Sequence, residues 1–409
     1  MQVAILSREY PPEVYGGAGV HVEYLARELA KLVDVQVHCF GPPRPETPGG
    51  PSVHAHQPWD ALDGTANYLG ALKALSVNLA MAAGVEGADL VHSHTWYANM
   101  GGHLSGLTHG IPHVVSVHSL EPLRPWKVEQ LGGGYEVSKF AEKTALEGAD
   151  RVIAVSRGMR EDILACYPAI DPDKVTVVYN GIDADEYTPD HGSDALERYA
   201  IDPARPSIVF VGRITRQKGV PHLLDAALDI DPSAQIVLCA GAPDTPEIGA
   251  EVAAKVDKVK AQRGNIIWLD KMLPKPEVIQ ILTNATVFVC PSVYEPLGIV
   301  NLEAMACETA VVASATGGIP EVVEDGITGL LVPFENTGAG AAANPEQFAA
   351  DIATRVNALI TDPARAQAMG KAGRQRVLDH FSWSAIAEET ARLYADVLRT
   401  RTGVNASGR

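Results

Sequence analysis

Two glutamates, Glu295 and Glu303, frame a segment of the chain whose residue types suit the binding of a sugar nucleotide. The apolar run 286–290 before them predicts a buried strand, Pro291 ends it, and a helix is expected to begin near Leu297. Carboxylates accept hydrogen bonds from sugar hydroxyls, and the N-terminus of a helix attracts phosphate. In a chain with 50 acidic residues, however, two glutamates at this spacing also occur by chance.

The residues between the glutamates strengthen this interpretation. Pro296 and Gly298 favour a tight backbone turn at a strand-to-helix junction, which is where open α/β sheets bind ligands. We therefore predict that the backbone of Leu297, Gly298 and Ile299 contacts the sugar nucleotide, with N–H groups directed at its diphosphate.

A second strand, 207–211, leads into a loop that carries basic residues in an otherwise acidic protein. Arg213 and Lys218 are candidates to neutralise a diphosphate, both when it binds and when it departs with additional charge. The alternative is that both are solvated surface cations. Their expected position at the same sheet edge as Glu295 favours the binding role.

Two glycine pairs also precede predicted helices. Gly16 and Gly17 follow the first strand, and Thr316, Gly317 and Gly318 follow a later one. Glycine lets backbone N–H groups approach a phosphate closely. The first loop does not complete the GxGxxG dinucleotide fingerprint, so a plain turn and a phosphate-binding loop both remain open for it.

Histidines follow two strands of the first half. His118 is a candidate to hydrogen-bond a sugar, although a lone histidine is more often structural. His92 and His94 stand two positions apart on a strand, but the sequence offers them no third ligand, so no metal site is predicted.

Length and composition restrict the class of protein. A chain of 409 residues is long enough for two domains, and its net charge of −17 argues against nucleic-acid binding. The five cysteines lack metal-site spacing and favour reduced thiols, as in the cytoplasm. No signal peptide and no stretch of membrane-spanning length is seen, so we expect a soluble cytoplasmic protein.

Apolar strands alternate with amphipathic helices along the whole chain, which is typical of doubly wound parallel sheets. A polar stretch, 184–205, interrupts the pattern and suggests a linker. We predict an α/β fold with one Rossmann-like domain over 1–190 and another over 191–384. The final helix, within 385–409, is expected to cross back to the first domain.

The chain resembles the retaining glycosyltransferases of the GT-B fold that use ADP-glucose, the bacterial glycogen synthase group. The matching segments are the Gly16-Gly17 loop, His118–Leu120, Asn180–Asp183, Gly212–Gly219, Glu295–Glu303 and Thr316–Gly318. This resemblance implies two Rossmann-like domains that face each other across a cleft, and, as in many members of the family, a homodimer.

The resemblance also implies roles for individual residues. Arg213 and Lys218 would bind the diphosphate, Glu295 would lie near the donor glucose, Glu303 would bind the ribose, and His118 would contact the transferred sugar. Such enzymes transfer with retention through an oxocarbenium-like state, in which the departing phosphate takes the proton of the acceptor. They need no metal or other cofactor.

Two positions depart from the polymer-elongating glycogen synthases, which carry Lys-Thr-Gly-Gly in the first loop and Asp between His and Trp later. Here Val14-Tyr15 precede the glycines and Thr95 stands in place of the Asp. The segments 119–127 and 130–135 instead resemble the actinobacterial branch, whose members join ADP-glucose to glucose 1-phosphate and make maltose 1-phosphate.

A phosphorylated acceptor requires a second cationic site. Arg124, Lys127 and Arg8 are the candidates in the first domain, and Trp126 and Tyr135 are candidates to stack on the sugar. The alternative is that Arg124 and Lys127 stabilise a surface loop or the interface between the domains.

Other functions share part of this pattern. A glycogen synthase that extends α-glucan is the first alternative, and a UDP- or GDP-dependent mannosyl or inositol-directed transferase would use the same cations and glutamates. A non-catalytic two-domain sugar-binding protein and a dinucleotide oxidoreductase are alternatives of other classes. The clustered diphosphate residues argue against the former and the incomplete glycine fingerprint against the latter.

Overall fold

The structure is a computed structural model that describes residues 1–45, 48–337 and 341–407, with side chains described as far as residue 401. The chain forms two compact units. One contains Met1–Gly181 and the segment that starts at Trp383, and the other contains Ile182–Ser382.

The first unit is built on a parallel sheet. Its strands are β1 (Gln2–Ser7), β2 (Asp34–Phe40), β3 (Ser52–His56), β4 (Leu90–His94), β5 (His113–Val117), β6 (Arg151–Ala154) and β7 (Val175–Val177). Its helices up to residue 181 are α1 (Gly17–Leu29), α2 (Leu69–Gly84), α3 (Trp96–His109), α4 (Lys127–Leu131), α5 (Gly134–Gly148) and α6 (Arg157–Cys166).

The strands are arranged in the order β3-β2-β1-β4-β5-β6-β7. Their apolar runs are buried on both faces, as parallel sheets require, and Val3–Leu6 are fully inaccessible. Since β1, β4 and β5 are neighbours and run parallel, the residues that follow Ser7, His94 and Val117 lie at one edge of the sheet.

The second unit repeats this construction. Its strands are β8 (Ser207–Arg213), β9 (Gln235–Gly241), β10 (Ile266–Leu269), β11 (Val287–Cys290), β12 (Ala310–Ser314) and β13 (Gly329–Val332). Its helices are α7 (Asp194–Arg198), α8 (Val220–Ala226), α9 (Pro246–Arg263), α10 (Lys275–Thr283), α11 (Ile299–Ala306), α12 (Ile319–Val322), α13 (Pro345–Ile360) and α14 (Pro363–His380).

The strand order of the second unit is β10-β9-β8-β11-β12-β13. The order reverses between β8 and β11, which makes their carboxyl ends the switch point where doubly wound sheets bind ligands. The loops after Arg213 and Cys290 therefore lie side by side, as do those after Cys290 and Ser314.

The last helix, α15 (Trp383–Ser407), belongs to the first unit, where it packs on α1. Its apolar face buries Trp383, Ile386, Tyr394 and Val397 in the core of that unit. The predicted fold class, including the return of this helix to the first domain, is confirmed.

Several predicted boundaries differ from the structure. Residues 182–190, assigned above to the first domain, lie in the second unit, and residues 383–384 lie in the first. The expected linker 184–205 contains α7 and packs on its own unit, where Arg374 donates to the carbonyls of Ala184 and Tyr187. Strand β3 was not predicted.

The five cysteines all lie in the described part of the chain as free thiols, four of them buried. Within the described residues, none of the helices combines the length and apolar character needed to span a membrane.

Candidate functional site

The switch point of the second unit is occupied by an ion pair between Lys218 and Glu295. Lys218 Nζ lies 2.7 Å from Glu295 Oε2, and the Ser292 hydroxyl donates to the same oxygen at 3.0 Å. Burial lowers the pKa of Lys218, but the Glu295 carboxylate outweighs this effect and holds that pKa above its ordinary value. Lys218 is therefore charged at neutral pH in a sheltered position.

Two glycines allow the loops around this pair to approach one another. Gly219 has φ +65°, and a Cβ there would lie 1.9 Å from the carbonyl oxygen of Pro291. Gly317 has φ +54°, and its Cβ would lie 2.0 Å from the carbonyl oxygen of Glu295. A side chain at either position would push the loops apart, so glycine is required for packing as well as for conformation.

The loop after β12 is joined directly to the ion pair. Gly318 N–H donates to the carbonyl oxygen of Glu295 at 2.9 Å, which uses one of the N–H groups predicted to face phosphate. Thr316 N–H donates to Ser314 O. The structure thus brings Thr316, Gly317 and Gly318 beside Glu295, with Gly318 supporting the loop.

Arg213 is placed at the end of β8 and is paired with a carboxylate of its own unit. Its Nη1 lies 3.0 Å from Asp244 Oδ1, and its side chain is 35% exposed. Asp244 is 12% exposed, so the pair is partly buried, and a ligand of higher charge would compete with Asp244 for the guanidinium.

Helix α11 begins directly after Gly298, which has φ +96°. The three predicted backbone positions, Leu297, Gly298 and Ile299, therefore form the entrance to its first turn. Within the described residues, neither polar atom of the fully buried Asn301 side chain finds a hydrogen-bond partner. Asn301 adjoins Gly298 and is a donor-site candidate that the sequence did not reveal.

Glu303 lies one turn further along α11 and is partly buried. Tyr187 donates its hydroxyl to Glu303 Oε1 at 3.1 Å. Burial raises the pKa of Glu303 to about 7, against the opposing effects of the Tyr187 hydrogen bond and of Lys275 and Lys218. A carboxyl group with this pKa accepts or donates hydrogen bonds near neutral pH.

In the first unit, His118 lies at the end of β5 within a group of histidines. Its Nε2 is 3.0 Å from Nδ1 of His94 at the end of β4, and the ring of His21 on α1 lies 4.6 Å from its own. His21 and His94 are buried, while His118 is partly exposed. His118 is therefore not a lone histidine, and the sequence analysis did not predict these neighbours.

Burial keeps these histidines neutral at pH 7. It lowers the pKa of His21 to about 4, and it lowers those of His94 and His118 well below the ordinary value, with further contributions from the neighbouring rings. His92 lies deeper, between the Tyr394 hydroxyl at 2.6 Å and the Ser116 hydroxyl at 2.8 Å.

Thr95, directly after His94, has φ +63° and ψ +159°, a region that non-glycine residues rarely adopt. Its hydroxyl is buried and has no hydrogen-bond partner in the part of the chain that the structure describes. The β4–α3 junction therefore holds a strained residue next to His94, at the position where the polymer synthases carry Asp.

The first glycine loop forms hydrogen bonds with a residue that precedes it closely in the chain. The Glu9 carboxylate accepts hydrogen bonds from the N–H groups of Tyr15 and Gly16, at 2.8 and 3.0 Å. The Gly16 N–H, a candidate for contact with the sugar nucleotide, is therefore already hydrogen-bonded to Glu9. Gly17 is the first residue of α1. Arg8 lies beside this loop with its guanidinium 4.1 Å from the centre of the Tyr97 ring.

Of the acceptor candidates, Arg124 is bound within its own loop. Its Nη1 donates to Ser119 Oγ at 2.9 Å and lies 3.3 Å from Oε1 of the fully buried Glu121. Glu121 N–H in turn donates to Glu142, and burial together with Glu121 raises the pKa of Glu142 to about 8. Arg124 thus pairs with the buried Glu121, which agrees with the loop-stabilising alternative.

The other acceptor candidates differ in burial. Tyr135 is buried and donates its hydroxyl to Glu121 O, so it is not a free stacking surface. Lys127 is buried and donates to Gln130, whereas Trp126 is partly exposed at the start of α4. Trp126 and Arg8 are partly exposed, as is Arg124, whose guanidinium is already paired within its own loop.

Two family models match the chain. The Glycosyltransferase Family 4 model matches residues 15–186, and the Glycosyl transferases group 1 model matches residues 194–376. These matches correspond to the two structural units.

Full-length relatives give a finer comparison. The alpha-maltose-1-phosphate synthase of Mycolicibacterium smegmatis is 55% identical over 400 residues, which cover 97% of this chain and 100% of the relative. That of Mycobacterium tuberculosis is 52% identical over the same shares. The solved structure of the sucrose-phosphate synthase from Thermosynechococcus elongatus matches with a TM-score of 0.81 and 25% identity, covering 98% of this chain and 99% of the other.

Proposed function

Since the chain belongs to the GT-B glycosyltransferase family that contains the alpha-maltose-1-phosphate synthases, we propose that it makes maltose 1-phosphate by moving glucose from ADP-glucose to glucose 1-phosphate. The observation that carries this proposal is the 55% identity to one such synthase over the relative's full length. The arrangement of charges in the second unit supports it.

The donor side rests on Lys218, Glu295 and Arg213. A bound diphosphate competes with Glu295 and Asp244 for the two cations, because each cation is now paired with a single carboxylate. As the diphosphate leaves it gains charge, and the cations stabilise that state more than the ground state. Glu303, beside Tyr187, accepts a hydrogen bond from the ribose.

The proposed transfer retains the configuration at the anomeric carbon. The bond between that carbon and the ADP oxygen breaks, the acceptor 4-hydroxyl attacks from the same face, and the departing phosphate takes the hydroxyl proton. Glu295 supplies negative charge near the positive charge that develops on the sugar. His118, held neutral by burial, is a hydrogen-bonding partner for the transferred glucose.

A product assay tests the proposal. The enzyme is incubated with ADP-glucose and either glucose 1-phosphate or glycogen, and the products are resolved by mass. We expect maltose 1-phosphate from the first reaction and little incorporation into glycogen in the second. Preferential extension of glycogen would contradict the proposal and favour the polymer synthases.

The donor is tested in parallel with UDP-glucose and GDP-glucose at matched concentrations. ADP-glucose is expected to give the highest kcat/KM. A preference for UDP-glucose would contradict the donor assignment, and the absence of transfer from every donor would contradict the proposed reaction.

A further inference from the structure

We propose that His21, His94 and His118 bind a divalent transition-metal ion of the class that favours imidazole nitrogen, such as Zn²⁺, Co²⁺ or Ni²⁺. One ring nitrogen from each of the three lies within 4.8 Å of the others. Imidazole is a ligand that suits these ions, and three histidines with one open position form a familiar tetrahedral set.

An ion would draw the three nitrogens closer together. In a tetrahedral zinc site the metal–nitrogen distance of about 2.0–2.1 Å places neighbouring nitrogens about 3.3 Å apart. Side-chain rotations of the three rings would close the remaining gap. His94 Nδ1 and His118 Nε2 already lie 3.0 Å apart, and an ion bound between them would replace the hydrogen bond that they share.

A hydrogen bond also leaves one ring nitrogen of His21 free to bind a metal ion. His21 Nδ1 lies 2.7 Å from Asn180 Oδ1, which is an acceptor, so the proton resides on Nδ1 and the lone pair on Nε2. Within the described residues, the buried Nε2 atom of His21 has no hydrogen-bond partner. A side-chain oxygen that fixes the tautomer of a ligand is the usual support around a metal-binding histidine.

The same criterion separates His92 from the site. Both of its ring nitrogens already have partners, Tyr394 and Ser116, so it offers no free lone pair. His118 is the member of the group that is partly exposed, so an entering ion would meet it first.

Metal binding would have a functional consequence. If His118 contacts the transferred glucose, a bound ion removes it from that role and inhibits the enzyme. This consequence rests on the proposed function, whereas metal binding itself does not, so the two are tested separately.

The binding test uses the full-length protein after dialysis against a chelator. Co²⁺ is added while the visible absorption is recorded, and Zn²⁺ binding is measured by calorimetry. We expect the intense absorption of tetrahedral Co²⁺, saturating at one ion per chain. The absence of both this absorption and a stoichiometric heat would overturn the proposal.

Variants locate the site. Asn180→Ala is expected to weaken Zn²⁺ binding by about 10- to 100-fold, since it removes the support of a ligand rather than the ligand. His21→Ala and His94→Gln are expected to weaken it further, and melting curves without metal establish that each variant is folded. Unchanged affinity in all three would refute the assignment.

Two other histidines serve as controls. His109 bonds to the Ala82 carbonyl away from the cluster, and His56 belongs to a separate pair in which His38 Nδ1 lies 3.0 Å from His56 Nε2. His109→Ala and His56→Ala are expected to bind Zn²⁺ like the unmodified protein. Loss of binding in His56→Ala alone would place the site on β2 and β3 and contradict the proposal.

Inhibition is then measured as the rate of glucosyl transfer against Zn²⁺ concentration. We expect a midpoint equal to the dissociation constant from calorimetry. Zn²⁺ binding without inhibition would leave the metal site standing and contradict the role proposed for His118.

Discussion

In the second unit, a lysine and a glutamate from neighbouring strand ends form a 2.7 Å ion pair, whereas in the first unit His94 and His118 meet at 3.0 Å as neutral rings. Both groups occupy the carboxyl edge of a parallel sheet, near the middle of the strand order. The two sheets are alike, but the side chains they gather differ in charge.

This difference matches what each unit would bind. A diphosphate requires permanent cations, and a buried cation requires a nearby carboxylate in the absence of ligand. A neutral sugar requires hydrogen-bonding groups without net charge, which buried imidazoles supply. The first unit also contains a buried ion pair, in which Arg124 compensates Glu121 within their own loop.

The largest expected effect comes from neutralising the carboxylate of the ion pair. Glu295→Gln keeps a hydrogen-bond acceptor for Lys218 but removes the negative charge near the reacting sugar, so kcat should fall by about 100- to 1000-fold. Steady-state kinetics with a melting curve check this. Glu324→Gln, at an exposed glutamate paired with Arg376, is the matched control and should retain activity. Near-normal turnover of Glu295→Gln would refute the role of Glu295.

Removal of Arg124 tests whether the first unit uses its charge for stability or for acceptor binding. Arg124→Ala leaves the fully buried Glu121 without its cation, and we expect a loss of about 3 kcal/mol in the free energy of unfolding, measured with urea. Adding Glu121→Gln should recover part of this loss.

The matched control for Arg124 is Arg27→Ala. Arg27 lies at the same 3.3 Å from Glu28, but its side chain is 46% exposed compared with 14% for Arg124. Arg27→Ala should lower the free energy of unfolding by no more than about 1 kcal/mol. A raised KM for glucose 1-phosphate in Arg124→Ala with unchanged stability would instead support direct acceptor binding.

The pH dependence of stability provides a smaller effect in the second unit. Glu303 has a folded pKa of about 7, above the ordinary value of 4.5, so its neutral form stabilises the fold. That contribution is complete below the unfolded pKa and is lost as the pH rises through about 7. Glu303→Gln should therefore be more stable than the unmodified protein above pH 7, by about 1–2 kcal/mol, in urea unfolding at several pH values.

Tyr187→Phe sharpens this prediction. The Tyr187 hydroxyl lowers the pKa of Glu303, so its removal should raise that pKa and move the loss of stability to higher pH. A pH profile that is identical in all three proteins would show that Glu303 does not titrate in this range.

The smallest effect is expected at the strained residue of the first unit. Thr95→Gly removes the strain of φ +63° but adds freedom to the unfolded chain, so a net gain of about 1 kcal/mol is expected. Thermal unfolding measures it. A loss of stability would show that the Thr95 side chain contributes more packing than its backbone costs.

The sequence by itself determined the fold class and the proximity of Lys218, Glu295 and Gly317 in the second unit. Apolar runs of strand length that alternate with amphipathic helices leave few alternatives to two parallel sheets. Lys218, Glu295 and Gly317 follow predicted strands, and the carboxyl ends of parallel strands lie at one edge. Their proximity therefore follows from the order of the elements, and the family resemblance pointed to the same residues.

Only the tertiary structure decided which polar side chains are bound to neighbours within the protein. His21 is 73 positions from His94, and Asn180 lies outside the strands. Their contacts with His21 therefore cannot be predicted from local spacing in the sequence. Likewise, the charge of Arg124 does not reveal that Glu121 is buried beneath it. Long-range packing sets these contacts, because burial, rather than residue type, determines whether a polar group binds a neighbour or a ligand.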